Sequence, residues 1–402
     1  FKPFAIDVFK TGYKKLLRRI EKAVDRRKAK KVFIGLEPSR CYGYQLTRCL
    51  KRDFKEVYFI NSLATASNRN QKMLLGLKTD DIDLCSIGDL LIRGECYPYN
   101  FQENICLNLQ ENTYWRESKM RMVISLKNQI MRRIDKIFPG LDTKFNKNKP
   151  LYQTAFETKN FWAVVDLLLH WKRLKEKGPE ELIKFFKERD FIMGRDKAER
   201  FSRYLGKLLI VDSTINKDIE LLRKDIRLLK IITKEIATIE EQMVKLVMKT
   251  PARCISGQIK GISDLNLAFY IGALGDINQY EDASKIFSKA GLCPKIKQSG
   301  NYTGKNLGIK KSGNKLLRTT LFRIASIVIY HEPYFGRYYT YLRDERKKPW
   351  GKAVIAVARK LNRVMFAMMK RQTPFNPPIR DFGVAHKPKE LVAMDEVSPV
   401  LK

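Results

Sequence analysis

Residues 31–62 read KVFIGLEPSRCYGYQLTRCLKRDFKEVYFINS, and the pattern is strand, helix, strand. KVFIGLE is a continuous apolar run, YGYQLTRCLKR has helical spacing, and EVYFINS is apolar again. Runs of that kind suit a parallel sheet covered on both faces, so the chain opens with an α/β domain. From Asp83 onward Leu84, Ile87, Leu90 and Leu91 recur at helical spacing up to Gly94, and helical segments continue to about Phe138. The loop FPGLDTKFNKNKP then closes a first domain over residues 1–150.

The next hundred residues, 151–250, are helical in pattern. Ile215, Ile219, Leu222, Ile226, Leu229, Ile236, Ile239, Met243 and Leu246 step mostly by three or four with charges between them. Such a stripe predicts a coiled coil, through self-association in a homo-oligomer or through helix-hairpin pairing, while a long helix packed inside its own domain explains it as well. After Pro251 the chain turns to short helices, a Gly/Asn/Lys loop and two apolar helices, a third domain over 251–372. A proline-bearing tail, 373–402, reads as loosely ordered.

Charge is the strongest compositional fact: Lys and Arg number 79 against 43 Asp and Glu, a net of +36. A polyanion is the partner such a field attracts, and nucleic acid is the commonest. A proteome shifted towards lysine is the plainer explanation. The basic residues spread along the whole length, which disfavours a membrane-surface helix. No apolar run reaches the roughly 18 residues of a membrane span, and the N-terminus has no signal-peptide pattern, so the expectation is a soluble, cytoplasmic protein. Seven scattered cysteines and three histidines argue against structural zinc and against a disulfide framework.

KTDDIDL, Lys78–Leu84, gathers three carboxylates into four positions. With Thr79 as N-cap, Asp80 and Asp83 lie in the first helical turn and project from one face, where they could share a hard cation. Capping and the helix dipole explain the same residues without a metal. Glu37 shifts the balance, because it ends a buried strand at the edge where open α/β sheets place ligands. Carboxylates collected there suit Mg²⁺ and phosphodiester chemistry.

GLEPSRCYGYQL followed by KTDDIDL resembles the RNase H-like (RuvC-like) domain of insertion-sequence transposases that carry an Asp-Glu-Asp-Asp tetrad. The resemblance implies that Glu37, Asp80 and Asp83 are its second, third and fourth members, that Asp81 is a bystander, and that Leu84 replaces an alanine. Asp7, in FAIDV, is a candidate for the first member. The helix TGYKKLLRRI begins too soon after it for the expected strand hairpin, so the expectation is that the first Asp lies upstream of residue 1.

The segment GALGDINQYEDASKIFSKAGLCPKIKQSGNYTGKNLGIKKSGNKLLR resembles the C-terminal domain of the same family. On that likeness Ser299 takes the position of a nucleophilic serine, although QSGN has one Ser and one Gly where the family commonly has two of each. Between Lys295 and Arg318 there are seven basic residues and no acid: Lys295, Lys297, Lys305, Lys310, Lys311, Lys315 and Arg318. They are candidates for nucleic-acid contact. A serine hydroxyl needs activation, and nearby cations stabilise charge on a phosphoryl group. Read without the family, the loop is simply a flexible DNA-contacting linker.

The expected fold is therefore an α/β RNase H-like domain, a helical coiled-coil middle and a mostly α C-terminal domain. The resemblance implies a DNA recombinase with a serine nucleophile, Mg²⁺, composite sites shared between subunits, and a structured guide RNA that pairs with the DNA. Two rivals remain open. One is a metal-dependent nuclease in which water attacks, and the other is a non-catalytic nucleic-acid scaffold.

Overall fold

The computed structural model describes residues 3–28, 30–37, 43–72, 79–98, 104–141, 156, 158–174, 176–208, 212–295, 298–299, 302–303 and 308–377. Two compact units result, Phe1–Glu103 and Asn104–Lys402.

The first unit runs α1 (Lys10–Arg27), β1 (Phe33–Leu36), α2 (Tyr44–Asp53), β2 (Glu56–Phe59), α3 (Ser62–Lys72), α4 (Asp80–Ile92) and β3 (Tyr97–Pro98). β1 and β2 are parallel, with Phe33 opposite Glu56 and Leu36 opposite Phe59, as the continuous apolar runs predicted. β3 joins β2 antiparallel, giving the order β1-β2-β3. The sheet is less enclosed than expected: Phe33 is 53% exposed, while Val57 and Ile60 are buried. A three-stranded sheet has too little area for every apolar position to be covered on both faces.

α4 crosses β1 at Gly35. A Cβ there would stand 2.8 Å from Ile60 Cδ1, 3.2 Å from Leu91 Cδ2 and 3.3 Å from Ile87 Cγ2, so glycine leaves room for these side chains to pack close to the strand. α1 is tied to α2 by the Tyr13 hydroxyl, which donates to Asp53 at 2.7 Å.

The second unit is helical: α5 (Asn104–Ile137), α6 (Lys159–Leu169), α7 (Trp171–Leu174), α8 (Pro179–Lys187), α9 (Arg195–Lys207), α10 (Asp212–Val247), α11 (Asp264–Leu274), α12 (Ala283–Lys289), α13 (Lys315–His331), α14 (Pro333–Thr340) and α15 (Trp350–Arg371), with a short hairpin of β4 (Gln298–Ser299) and β5 (Tyr302–Thr303). α5 and α10 form its spine. They are antiparallel: Arg116 pairs with Glu240 at 2.8 Å, while Arg133, further along α5, pairs with the earlier Asp225 at 2.7 Å.

Of the arrangements expected for the α10 stripe, the structure shows pairing within the chain. The stripe on α10 is buried from Ile215 to Val247, and the partner along its length is α5 of the same chain, with α6–α9 and α11 closing the rest. Ile232 and Val247, both buried, belong to the seam as well.

Two cores lie along the spine. One gathers the second half of α5, α6–α9 and the first part of α10 around Phe161, Phe186 and Phe201. The other gathers α11–α15 with the start of α5 and the end of α10 around Tyr270, Phe335 and Leu361. α11 passes so near α5 at Gly272 that a Cβ would meet the Leu109 carbonyl oxygen at 2.7 Å, with Thr113 Oγ1 nearer still.

Candidate functional site

In the first unit, Thr79 caps α4 as its sequence predicted, its hydroxyl oxygen accepting from the Ile82 amide at 3.3 Å. Asp80 and Asp81 are exposed and Asp83 is half-buried. Asp83, Ile87 and Leu91 are four residues apart and so share one helix face, the face that meets β1. Glu37 is the residue that follows β1 at its carboxyl end, and it is exposed.

The carboxylates are not assembled there. Among the described residues no three Asp, Glu, His or Cys side chains stand close enough to hold one ion. Asp83 is instead engaged by the guanidinium of Arg69 from α3, in a pair whose side chains are only 15% and 18% exposed. Next to it, Asn68 donates to the Ser86 carbonyl at 3.5 Å and accepts from Arg93 at 3.5 Å, so α3 and α4 are joined by a polar seam. The donor chemistry, oxygen ligands alone, suits a hard divalent cation, and Arg69 supplies positive charge at the same point. Sequence reading missed Arg69, because no local spacing links it to Asp83.

Asp7 bonds to its own helix start. One carboxylate oxygen accepts from the Phe9 amide at 2.9 Å and the Gly12 amide at 3.0 Å, which satisfies amides at the start of α1. Gly12 is what lets the carboxylate fold onto the helix, since a Cβ would sit 2.6 Å from Asp7 Oδ1.

In the second unit the chain doubles back between Gly291 and Lys311. Lys295 N donates to Gly308 O at 3.0 Å, Lys310 N to Cys293 O at 2.8 Å, and Lys311 N to Gly291 O at 3.0 Å. Further out, β4 and β5 pair Gln298 with Thr303 and Ser299 with Tyr302. Only two residues separate Ser299 from Tyr302, so the serine backbone stands at the turn of the hairpin. Lys295, Lys310, Lys311 and Lys315 are exposed at its foot. Lys297 and Lys305 lie outside the described residues.

Arg318, expected to contact nucleic acid, is engaged at that foot: its Nη1 donates to the carbonyl oxygens of Ala290, 2.8 Å, and Lys311, 3.1 Å. Asn314 caps α13 by accepting from the Leu317 amide at 3.1 Å and donates to the Ala273 carbonyl at 3.0 Å. The Lys289 ammonium folds back to the Leu274 carbonyl, 3.1 Å, and the Tyr280 hydroxyl, 2.5 Å. Burial pulls the Lys289 pKa down and pushes that of Tyr280 well above its ordinary value. The hairpin therefore stands on a polar base built from α11, α12 and α13.

Two parts of the chain are similar to domains of DNA transposases. Residues 3–139 match the DEDD_Tnp_IS110 transposase domain, and residues 256–340 match the domain described as transposase IS116/IS110/IS902 family. The chain belongs to this family of insertion-sequence transposases. It is 30% identical over 155 residues to the pilin gene-inverting protein of Moraxella bovis, covering 36% of this chain and 47% of that protein. The pilin gene-inverting protein of Moraxella lacunata gives the same figures. The transposase for insertion sequence element IS1111A of Coxiella burnetii is 30% identical over 135 residues, 33% of this chain and 34% of that protein. The chain thus spans about half the length of the Moraxella relatives it matches and a third of the Coxiella one. The DEDD domain also suggests dependence on a divalent metal.

Proposed function

We propose that this chain is a cytoplasmic, nucleoid-associated DNA recombinase that moves an insertion sequence by cutting and rejoining strands through Ser299. The observation that carries the reading is the presence, in one chain and in this order, of a DEDD transposase domain and a second transposase domain whose hairpin turn bears that serine.

The Ser299 oxygen attacks a phosphodiester phosphorus and forms a phosphoserine ester. The deoxyribose oxygen leaves and takes up a proton as a hydroxyl. In the second half the hydroxyl of another strand attacks the same phosphorus, and the serine oxygen regains its proton. Bond energy is conserved, so no nucleotide cofactor is consumed. Lys295, Lys310, Lys311 and Lys315 bind and neutralise phosphate around the turn. Glu37, Asp80 and Asp83 are the residues that would hold Mg²⁺, which would supply Lewis-acid stabilisation of phosphoryl oxygens. The carboxylates and the serine belong to separate units, which suits sites shared between subunits. With abundant charge for backbones and no sequence reader recognised in its motifs, the chain fits a division of labour in which a structured guide RNA selects the DNA.

The test is a denaturing gel of full-length protein, purified with its co-expressed RNA and incubated with labelled element-junction DNA and Mg²⁺. A DNA-shifted protein band that disappears in Ser299→Ala supports the recombinase. Nicked DNA without an adduct in either protein transfers the assignment to a metal-dependent nuclease. Full function after Glu37, Asp80 and Asp83 are all replaced by Ala would point to a scaffold.

A further inference from the structure

α15 is 22 residues long, and its basic residues are Lys352, Arg359, Lys360, Arg363, Lys370 and Arg371, with no acid among the rest. Its buried face is apolar apart from Asn362, running from Ala353 through Val357, Leu361 and Met365 to Met369. On the other side Lys352, Arg359, Arg363 and Lys370 are all exposed. Their steps of seven, four and seven keep them within about 40° of one another around the helix and spread them over about 27 Å.

A general excess of lysine does not explain this stripe. Elsewhere in the same unit, exposed helix faces carry ion pairs at four-residue spacing, such as Lys177 with Glu181, Arg195 with Glu199, and Glu220 with Lys224. α15 has the opposite arrangement, for Arg359 and Arg363 are four apart and repel each other. Like charges held so close are stabilised when an external anion is shared between them.

The stripe is also braced and aimed. Lys360, on its flank, sits 4.1 Å from the ring centre of Tyr334 and 4.3 Å from that of Tyr338. The guanidinium of Arg359 lies 5.6 Å from the ring centre of Phe287, on α12. α12 ends at Lys289, and the next residues, Ala290 and Gly291, are the foot of the Ser299 hairpin. Beyond that foot stand the exposed Lys295, Lys310, Lys311 and Lys315.

We propose that this face of α15 is a docking track for the backbone of duplex DNA, running past α12 to the lysines at the hairpin foot and so feeding the duplex towards Ser299. The inference rests on the DNA-acting reading above and names a surface that the family motifs do not include. A duplex suits the stripe because a straight row of cations about 27 Å long faces roughly 16 phosphate charges of a rigid double helix. A flexible single strand has no need of a straight row.

Duplex binding is followed by fluorescence anisotropy over a salt series, with full-length protein in wild type, Arg359→Gln/Arg363→Gln and Ser299→Ala. Each lost phosphate contact lowers the slope of log affinity against log salt by about 0.9, so the double variant should lose nearly two, with affinity down roughly tenfold or more at low salt. Ser299→Ala should keep the wild-type slope, so a wrong serine assignment leaves this result intact. Lys172→Gln/Arg173→Gln, an exposed basic pair on α7 away from the track, should also keep it. An unchanged slope in the α15 variant, an equal loss in the α7 variant, or a loss confined to structured RNA would each overturn the proposal. All four residues being exposed, the melting curves should coincide, and a lowered melting temperature in the α15 variant would assign it a structural role instead.

Discussion

Arg318 reaches across the foot of the serine hairpin to Lys311, whose carbonyl oxygen accepts from its Nη1 at 3.1 Å, while the same nitrogen serves Ala290 at 2.8 Å. One cation thus joins the residue that precedes the hairpin to the one that ends it. Charge-assisted bonds of this kind contribute about 1.5–3 kcal/mol each when they are not exchanged for water.

Arg318→Met should therefore loosen the hairpin without unfolding the unit. The amides of Lys295, Lys310 and Lys311, which close the foot, should exchange faster with deuterium, while those in the middle of α13 keep their protection. Unchanged exchange at all three would show that the backbone ladder alone holds the hairpin.

The helices of this fold, and the parallel β1–α2–β2 step, were legible because their evidence is local. Apolar spacing, the Thr79 cap and the glycine-rich stretch before α13 each act over a few residues. Partners were not legible. The α10 stripe reads the same whether α5 or another chain fills it, since periodicity records that a face is buried and not by what. For the same reason Arg69 drew no reading and Arg318 was read as a nucleic-acid contact: their roles depend on contacts made across the fold. Asp7 lay between these cases, because FAIDV fits both a metal ligand and a helix cap until the Phe9 and Gly12 amides are seen to occupy its carboxylate.

That occupation can be tested directly. Asp7→Asn keeps an acceptor for the amides and should preserve both folding and strand transfer, whereas Asp7→Ala should cost about 1 kcal/mol of stability and leave transfer in place. Loss of transfer in Asp7→Asn, with melting unchanged, would return Asp7 to the tetrad.

Gly272 carries a prediction for the helical unit. Adding a methyl group drives it into the Leu109 carbonyl and Thr113, and because one obstacle is backbone the helices must separate. Gly272→Ala should destabilise the unit by about 1–3 kcal/mol in urea unfolding, and Gly272→Val should prevent the α5–α11 contact from forming. Near wild-type stability in the alanine variant would mean that the crossing is looser than drawn.

Alkaline pH should weaken the same unit through its buried phenols. Burial pushes Tyr270 and Tyr280 well above the ordinary tyrosine value of 10.0. Above that value the unfolded chain releases phenolic protons that the folded chain retains. The unfolded state then binds fewer protons, and stability falls as pH rises. Lys289 and Lys197 act in the opposite sense, since burial lowers their pKa values and lets the folded state shed protons first, while the raised Tyr338 and Tyr339 add to the phenols' side. Phenolate absorbance should rise together with the loss of helical circular dichroism above pH 10, and Tyr280→Phe should make that loss shallower. Smooth titration of all tyrosines before any helix is lost would contradict the burial argument.

The pair between Arg69 and Asp83 makes the last prediction, because it separates a structural role from a metal-binding one. Both side chains are largely withdrawn from water, so removing either partner leaves the other charge poorly solvated. Arg69→Gln and Asp83→Asn should each lower stability, and the double variant should recover part of the loss, giving a coupling of about 1–2 kcal/mol. Divalent cation binding, followed through Mn²⁺ paramagnetic resonance, should then move in opposite directions: weaker in Asp83→Asn, where a ligand is lost, and tighter in Arg69→Gln, where a competing cation is removed. Additive stabilities would deny the ion pair its structural share. Mn²⁺ affinity that is the same in all three proteins would remove Asp83 from the metal-binding set and leave it as the anchor of α3 on α4.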